Sequence, residues 1–343
     1  MSGVISLKNK MTISDIAKLA NVSKTTVSFY INGKYDKMSE ETRGRIEKVI
    51  NKTGYEPSVV ARSLNFKQTR LIGVIIGDIT NSFANQIVKG IDTYAREHGY
   101  QLIVGSSGYD VEYERKYLRS MEALGVDGFI VQPTVEFRTV YNELGITRPI
   151  VYFDSPTRDM SGLWVKTNNY EAVSNACDLM VEKGYEHFVM ITADPYVLTT
   201  RLERTRGFID NLESRKMSYD TILVDESTTE NELYEKVKPI IDEKNNICFF
   251  VSSCWLLTKV FKVLEHWKDR IPEDIGLFGF DSLEWSEFSS PSVTTIVQPA
   301  FEEGYLAGQV LINNIEERNE TQPNHILSCY INEKLSTDKK GNK

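Results

Sequence analysis

Nowhere in the 343 residues does an apolar run approach the roughly 18 residues that a membrane-spanning helix needs. The opening MSGVISLKNK has no apolar core ahead of a small-residue cleavage site, so the sequence predicts a cytoplasmic protein with no membrane partner. Cysteine is scarce: Cys177, Cys248, Cys254 and Cys329 form no CxxC pair, and His98, His187, His266 and His325 are scattered. That spacing argues against a disulfide framework and against a zinc site, so no metal and no other cofactor is expected. Missing too are GxSxG, a Walker loop, HExxH and a Cys/His nucleophile pair, and the glycines of GVIIGD do not make GxGxxG. The sequence therefore predicts a protein that is not an enzyme.

What is there is length, an ordinary soluble composition and an uneven charge. The chain is long enough for two or three domains, with 41% hydrophobic and 26% charged residues. The net charge of −8 is split: residues 1–67 hold twelve Lys/Arg against six Asp/Glu, and the rest hold 28 against 42. A basic end on an acidic body is the charge pattern of a protein that meets nucleic acid at one end, because phosphates need cations only at the contact.

The basic end reads as a three-helix head. Thr12-Ile13-Ser14-Asp15 is a capping box that starts a helix with Ile16, Ala17, Leu19 and Ala20 on its apolar face. Asn21 suits the left-handed residue of a tight turn, and Ser23 caps a second helix in which Val27 and Ile31 share a face. Two short helices so joined make a helix-turn-helix. The second exposes Lys24, Thr25, Thr26, Ser28 and Phe29, short hydrogen-bonding side chains and one ring that can enter a major groove. A third helix opens at Ser39, turns Ile46, Val49 and Ile50 inward and stops at Gly54; SVVARSLNF then follows as a basic, apolar linker.

The run TISDIAKLANVSKTTVS, then NG, SEETR, GYEP and VARSL, resembles the head and hinge of the lac/gal repressor family. Within it the chain is most similar to the Gram-positive keto-deoxygluconate repressor branch and its hyaluronate-linked relatives. The resemblance implies a homodimeric, sugar-controlled repressor on double-stranded operator DNA, governing uronate or glycosaminoglycan use. It places Lys24, Thr25 and Phe29 on base-reading positions and Thr26, Ser28 and Asn32 on backbone-contacting ones; Thr12 and Ser23, at the caps, join the candidate DNA contacts. Phe29 departs from the arginine or histidine common there, and a ring can touch a thymine methyl but cannot pair with guanine. In similar proteins the hinge orders on cognate DNA and a leucine wedges the minor groove; here that is Leu64 of Ala61-Arg62-Ser63-Leu64.

From Leu71 short apolar runs alternate with amphipathic helices, in two series, which predicts βαβ units and parallel sheets in two similar lobes. Open α/β sheets bind ligands at the carboxyl ends of their strands. Asp78 with Asn81 to Phe83, Gln132, Asp154 and Asp281 all end strands, and Arg204 opens a helix one turn before Gly207. Carboxylates, amides, an arginine and nearby rings suit a polyhydroxylated or acidic sugar. The resemblance continues over about residues 11–335 and implies a periplasmic-binding-protein-like core with three crossovers between lobes. It sets Phe83, Thr200, Arg204 and Asp281 on effector-contacting positions, and Ser253 where asparagine is usual, with Trp255 and Trp285 as further cleft candidates.

The expected layout is a flexible tail at 1–10, the head at 11–57 and the hinge at 58–69. The first lobe takes 70–166 and 296–324, the second 167–295 and 325–335, and a flexible tail 336–343. Two alternatives are an enzyme of periplasmic-binding-like or Rossmann-like fold fused to a DNA-binding head, and a sugar-transport protein, which would need an export signal and no basic head.

Overall fold

The computed structural model describes residues 11–31, 33–55, 68–155, 162–281, 284–318 and 322–339, and the chain divides into two compact units, Met1–Thr69 and Arg70–Lys343. The predicted class is observed: a helical head and an α/β body of two mainly parallel sheets.

In the head, α1 (Ile13–Leu19), α2 (Lys24–Ile31) and α3 (Glu40–Thr53) form as the caps dictate. The Thr12 hydroxyl accepts from the Asp15 amide while the Asp15 carboxylate accepts from the Thr12 amide at 3.0 Å. Asn21 takes φ 54°, the left-handed turn between α1 and α2. Ile16, Ala17, Val27 and Tyr55 form the buried core, and Ile31, Val49 and Ile50 pack against it. Leu19 departs from expectation: it is 59% exposed. The helical period puts Ile16, Ala17 and Ala20 on one stripe and leaves Leu19 at its edge, where α2 and α3 do not reach.

In the body the first sheet has the order β11-β5-β4-β3-β1-β2, built from β1 (Leu71–Ile76), β2 (Gln101–Ser106), β3 (Gly128–Val131), β4 (Ile150–Phe153), β5 (Leu163–Thr167) and β11 (Asn324–Leu327). The second has the order β12-β10-β9-β8-β6-β7, from β6 (His187–Thr192), β7 (Ser218–Leu223), β8 (Ile247–Val251), β9 (Ile275–Phe280), β10 (Thr294–Val297) and β12 (Tyr330–Asn332). Among the described residues only β12 pairs antiparallel. Central strands such as HFVMIT and ICFFV are buried at every position because helices cover both faces, whereas edge strands β2 and β7 leave residues open. Between strands run α4 (Ser82–Glu97), α5 (Val111–Ala123), α6 (Phe137–Glu143), α7 (Asn169–Glu182), α8 (Thr199–Ser214), α9 (Glu230–Glu243), α10 (Cys254–Leu264), α11 (Glu284–Phe288) and α12 (Ala300–Ile315).

Three crossovers join the lobes, after β5, β10 and β11. Their positions correct the expected boundaries. β10 belongs wholly to the second sheet, so the chain crosses after Val297 and not at 295; β11 pairs with β5 in the first sheet, so the last crossing follows Leu327 and not 324. Strand pairing, a long-range property, decided what local pattern could not. The expected tail at 336–343 is also corrected at its start. Ser336 and Thr337 are buried: the Ser336 hydroxyl donates to the Leu277 carbonyl at 2.6 Å and accepts from the Thr294 amide at 2.9 Å. Two hydroxyls in a polar stretch read as solvent-loving, yet here Ser336 satisfies backbone groups of β9 and β10 and Thr337 bonds the Thr294 hydroxyl at 2.7 Å.

Candidate DNA-reading helix and inter-lobe cavity

On α2, Lys24 and Thr25 are exposed, and Thr26, Ser28 and Phe29 are half-buried. At 100° per residue, Lys24, Thr25, Ser28 and Phe29 span about 140° on the side turned away from buried Val27. The expected reading face is therefore presented to solvent. Three of the hydroxyls already have work within the head. Ser23 Oγ accepts from the Thr26 amide at 3.0 Å and bonds Thr26 Oγ1 at 2.8 Å, and Thr12 Oγ1 donates to Asp15 Oδ2 at 2.7 Å. Asn32, Ala61, Arg62 and Leu64 lie outside the described residues.

In the body the carboxyl ends of both sheets border one narrow cavity of about 40 Å³, lined by Asn81, Phe83, Gln132, Asp154, Thr200, Arg204, Ser253, Trp255 and Asp281 together with Tyr109, Leu198, Arg201, Cys254 and Gln298. Nine of the expected effector residues are thus brought together. Asp78 is placed elsewhere. Its carboxylate accepts from the Thr80 amide and hydroxyl at 2.8 Å and borders the adjoining hollow. Trp285 packs on Phe261 with ring centroids 5.4 Å apart and lines a neighbouring hollow instead of the cavity.

Each lobe contributes a strand-end aspartate in matching conformation. Asp154, after β4, has φ 58°, and Asp281, after β9, has φ 67°; both are buried. Left-handed backbone at a residue other than glycine is uncommon, and with Tyr109 at φ 58° three such residues border the one cavity. Asp154 Oδ2 accepts from Gln132 Nε2 at 2.6 Å, while its Oδ1 is buried without a partner among the described residues. Its amide donates to Glu303 Oε1 at 2.7 Å, so the first turn of α12 braces the site from behind. Asp281 accepts from Gln298 Nε2 at 3.1 and 3.2 Å.

Arg204 is the hub of the second lobe. Nε donates to Asn169 Oδ1 at 2.7 Å, Nη1 to the Ser252 carbonyl at 2.8 Å and Nη2 to Gln298 Oε1 at 3.1 Å, and the guanidinium lies 3.6 Å above the Phe280 ring. Gln298 also accepts from Thr167 Oγ1 at 2.9 Å, so two crossover segments meet at this side chain. Lobe meets lobe directly at Ser155 Oγ and Thr200 Oγ1, 2.9 Å apart, and at Cys254 Sγ, which donates to Asn81 Oδ1 at 3.3 Å.

Burial governs the charges. It raises Asp281 to about 6 against the pull of Arg204 and the Gln298 hydrogen bond, and it raises Asp154 against the same arginine and Gln132. Glu303 is driven well above the usual carboxylate range by burial and by the charge of Asp154. The cavity is therefore less acidic than its two carboxyl groups, with Glu303 behind them, suggest. Burial also holds the Cys254 thiol protonated, at about 12. Among the described residues no group of three or more His, Cys, Asp or Glu could hold a metal ion, and no helix is long and apolar enough to cross a membrane.

Sequence reasoning missed Tyr109, Arg201, Gln298 and Glu303. Tyr109 follows β2 as the expected residues follow their strands, so it carried the same signal. Arg201 is next to Thr200 in the chain. Gln298 and Glu303 sit on and after a crossover whose position only strand pairing reveals.

Residues 12–58 match the family described as bacterial regulatory proteins, lacI family, and residues 177–337 match a periplasmic binding protein-like domain. The chain is 30% identical over 311 residues to the HTH-type transcriptional regulator KdgR of Bacillus subtilis (strain 168), covering 89% of this chain and 91% of that one. Among solved structures, a lac repressor dimer bound to operator and the anti-inducer ONPF superposes with a TM-score of 0.82 at 20% identity, covering 96% of this chain and 99% of that one. A periplasmic binding protein/LacI transcriptional regulator from Alkaliphilus metalliredigens QYMF, complexed with D-xylulofuranose, gives 0.67 at 25% identity over 78% of this chain and 99% of that one.

Proposed function

This chain belongs to the lacI family of bacterial regulatory proteins, and from that premise we propose a homodimeric operator-binding repressor, not an enzyme, whose DNA affinity is set by a small sugar held between the lobes. One observation carries the effector class. A buried aspartate from each lobe, an amide and a guanidinium converge on one cavity, and Asp154 Oδ1 still lacks a donor. Vicinal hydroxyls supply such donors, and Phe83 and Trp255 offer ring faces for apolar sugar C–H groups. The relative complexed with D-xylulofuranose supports the same chemistry. A ligand that contacts both lobes favours one lobe arrangement over another, and this difference in affinity is what shifts the population that binds DNA.

The DNA contacts proposed are Lys24, Thr25 and Phe29 on bases, with Thr12, Ser23, Thr26, Ser28 and Asn32 nearby and Ala61, Arg62 and Leu64 in the hinge. Dimerisation through the body is supported by open apolar groups on its edge: Val104 on β2 and Leu223 on β7, with Ile79 and Tyr113 beside β2. The triad-like chain Ser218–His187–Asp220, at 2.7 and 2.8 Å, lines none of the cavity and gives no support to an enzyme.

Fluorescence anisotropy of the full chain on DNA from upstream of its own gene, titrated with salt and with sugars, tests the reading. Saturable binding that weakens steeply with salt is expected. Lys24→Ala should weaken it by roughly ten- to a hundredfold and relax discrimination at one base position. Absence of saturable, salt-sensitive binding to that and to other candidate operators would end the proposal.

A further inference from the structure

Arg201 sits half-buried on α8, three residues before Arg204, where the cavity opens into two adjoining hollows; it lines all three. Among the described residues it packs on the face of Tyr109, with the guanidinium carbon 5.6 Å from the ring centroid. No side-chain hydrogen bond or ion pair engages it among the described residues. Arg204, by contrast, has all three nitrogens bonded within the protein. The two arginines thus have different work. Arg204 organises the crossover segments, and Arg201 lines the cavity with no bonded acceptor among the described residues.

The placement of Arg201 is built. The Tyr109 ring that it faces lies against Gly77, where even a Cβ would come within 2.2 Å of the ring, so the glycine is what lets the ring take this place. A guanidinium withdrawn from water and given no acceptor is costly, and the cost is recovered when an anion arrives. Acidic groups are near: Asp78 and Glu226 line the hollow at the mouth, and Asp154 faces it from the cavity, yet none forms an ion pair with it. That surrounding negative charge favours a monoanion over a phosphate dianion.

We propose that Arg201 binds the carboxylate of a sugar-acid effector, its sugar hydroxyls held by Asp154 and Asp281, and that this arginine sets acid-over-neutral specificity. The inference rests on the sugar-effector reading and narrows it. A planar guanidinium matches a carboxylate with two parallel N–H···O bonds, which a neutral hydroxymethyl cannot reproduce.

Isothermal titration of the full chain with matched probes tests it: D-glucuronate against D-glucose, D-galacturonate against D-galactose, and glucose 6-phosphate. At least one acid should bind about tenfold or more tightly than its neutral parent. Arg201→Gln should abolish that preference, and a melting temperature within about 2 °C of the wild type shows that the variant folds. Arg201→Lys should restore part of the preference, since charge survives but the fork does not. Neutral sugars binding as well as their acids, an unchanged acid-to-neutral ratio in Arg201→Gln, or tightest binding by glucose 6-phosphate overturns the carboxylate assignment alone. Failure of every probe, neutral and acidic, overturns the sugar-effector reading and this inference with it.

Discussion

Gly304→Ala is expected to destabilise the body by about 3 kcal/mol, the upper end of the overpacking range. A Cβ at Gly304 would lie 2.0 Å from the Ile87 carbonyl oxygen, and one at Gly90 would lie 2.1 Å from the Phe301 carbonyl oxygen. Both obstacles are backbone, so α4 and α12 must separate along the apolar core of the first lobe. For a body of this size the melting temperature should fall by roughly 6–10 °C. Gly90→Ala should behave similarly, and the double variant should cost less than the sum, because one separation serves both side chains. Scanning calorimetry decides: a drop under about 2 °C, or strict additivity, would show that the helices do not cross this closely. The same shift should weaken sugar binding, because Glu303, adjacent to Gly304, carries the hydrogen bond to the Asp154 amide.

Asp281→Asn is expected to stabilise the ligand-free protein at neutral pH and weaken its response to effector. Folding raises the Asp281 carboxyl to about 6, against about 3.9 in an unfolded chain. The folded state therefore binds more protons across that window, and stability falls as pH rises from about 4 to about 6. The difference corresponds to about 3 kcal/mol at neutral pH, a cost the amide avoids. Melting curves should show the variant above the wild type at pH 7.5 and level with it below pH 4. Effector affinity should drop by roughly ten- to a hundredfold, because a carboxylate that accepts from two hydroxyls becomes an amide that accepts from one. Equal melting temperatures at pH 7.5 would mean that Gln298 and Arg204 already compensate the buried charge. The result would identify Asp281 as a residue kept for function at the expense of stability.

Short-range features of this protein were legible without coordinates. Caps at Thr12, Ser23 and Ser39, the left-handed turn at Asn21 and the buried strands are each written within a few residues, because hydrogen-bond geometry at a helix end and burial on both faces of a sheet act locally. The strand-end rule then led to most of the cavity, since parallel sheets aim every carboxyl end the same way. Its failures have physical causes. Asp78 obeys the rule in sequence, yet its carboxylate is taken by Thr80 next door. Leu19 obeys the helical period only at the margin, where exposure depends on how far neighbouring helices reach.

The sequence by itself therefore determined a helix-turn-helix head, a two-lobed α/β body and the residue types that could read DNA and hold a sugar. Only the tertiary structure decided which lobe owns β10 and β11, why Ser336 and Thr337 are buried, and that Arg204 is engaged while Arg201 is open. Those decisions rest on pairings between residues far apart in the chain, such as Asn324 with Trp164 and Arg204 with Gln298, which no local pattern encodes.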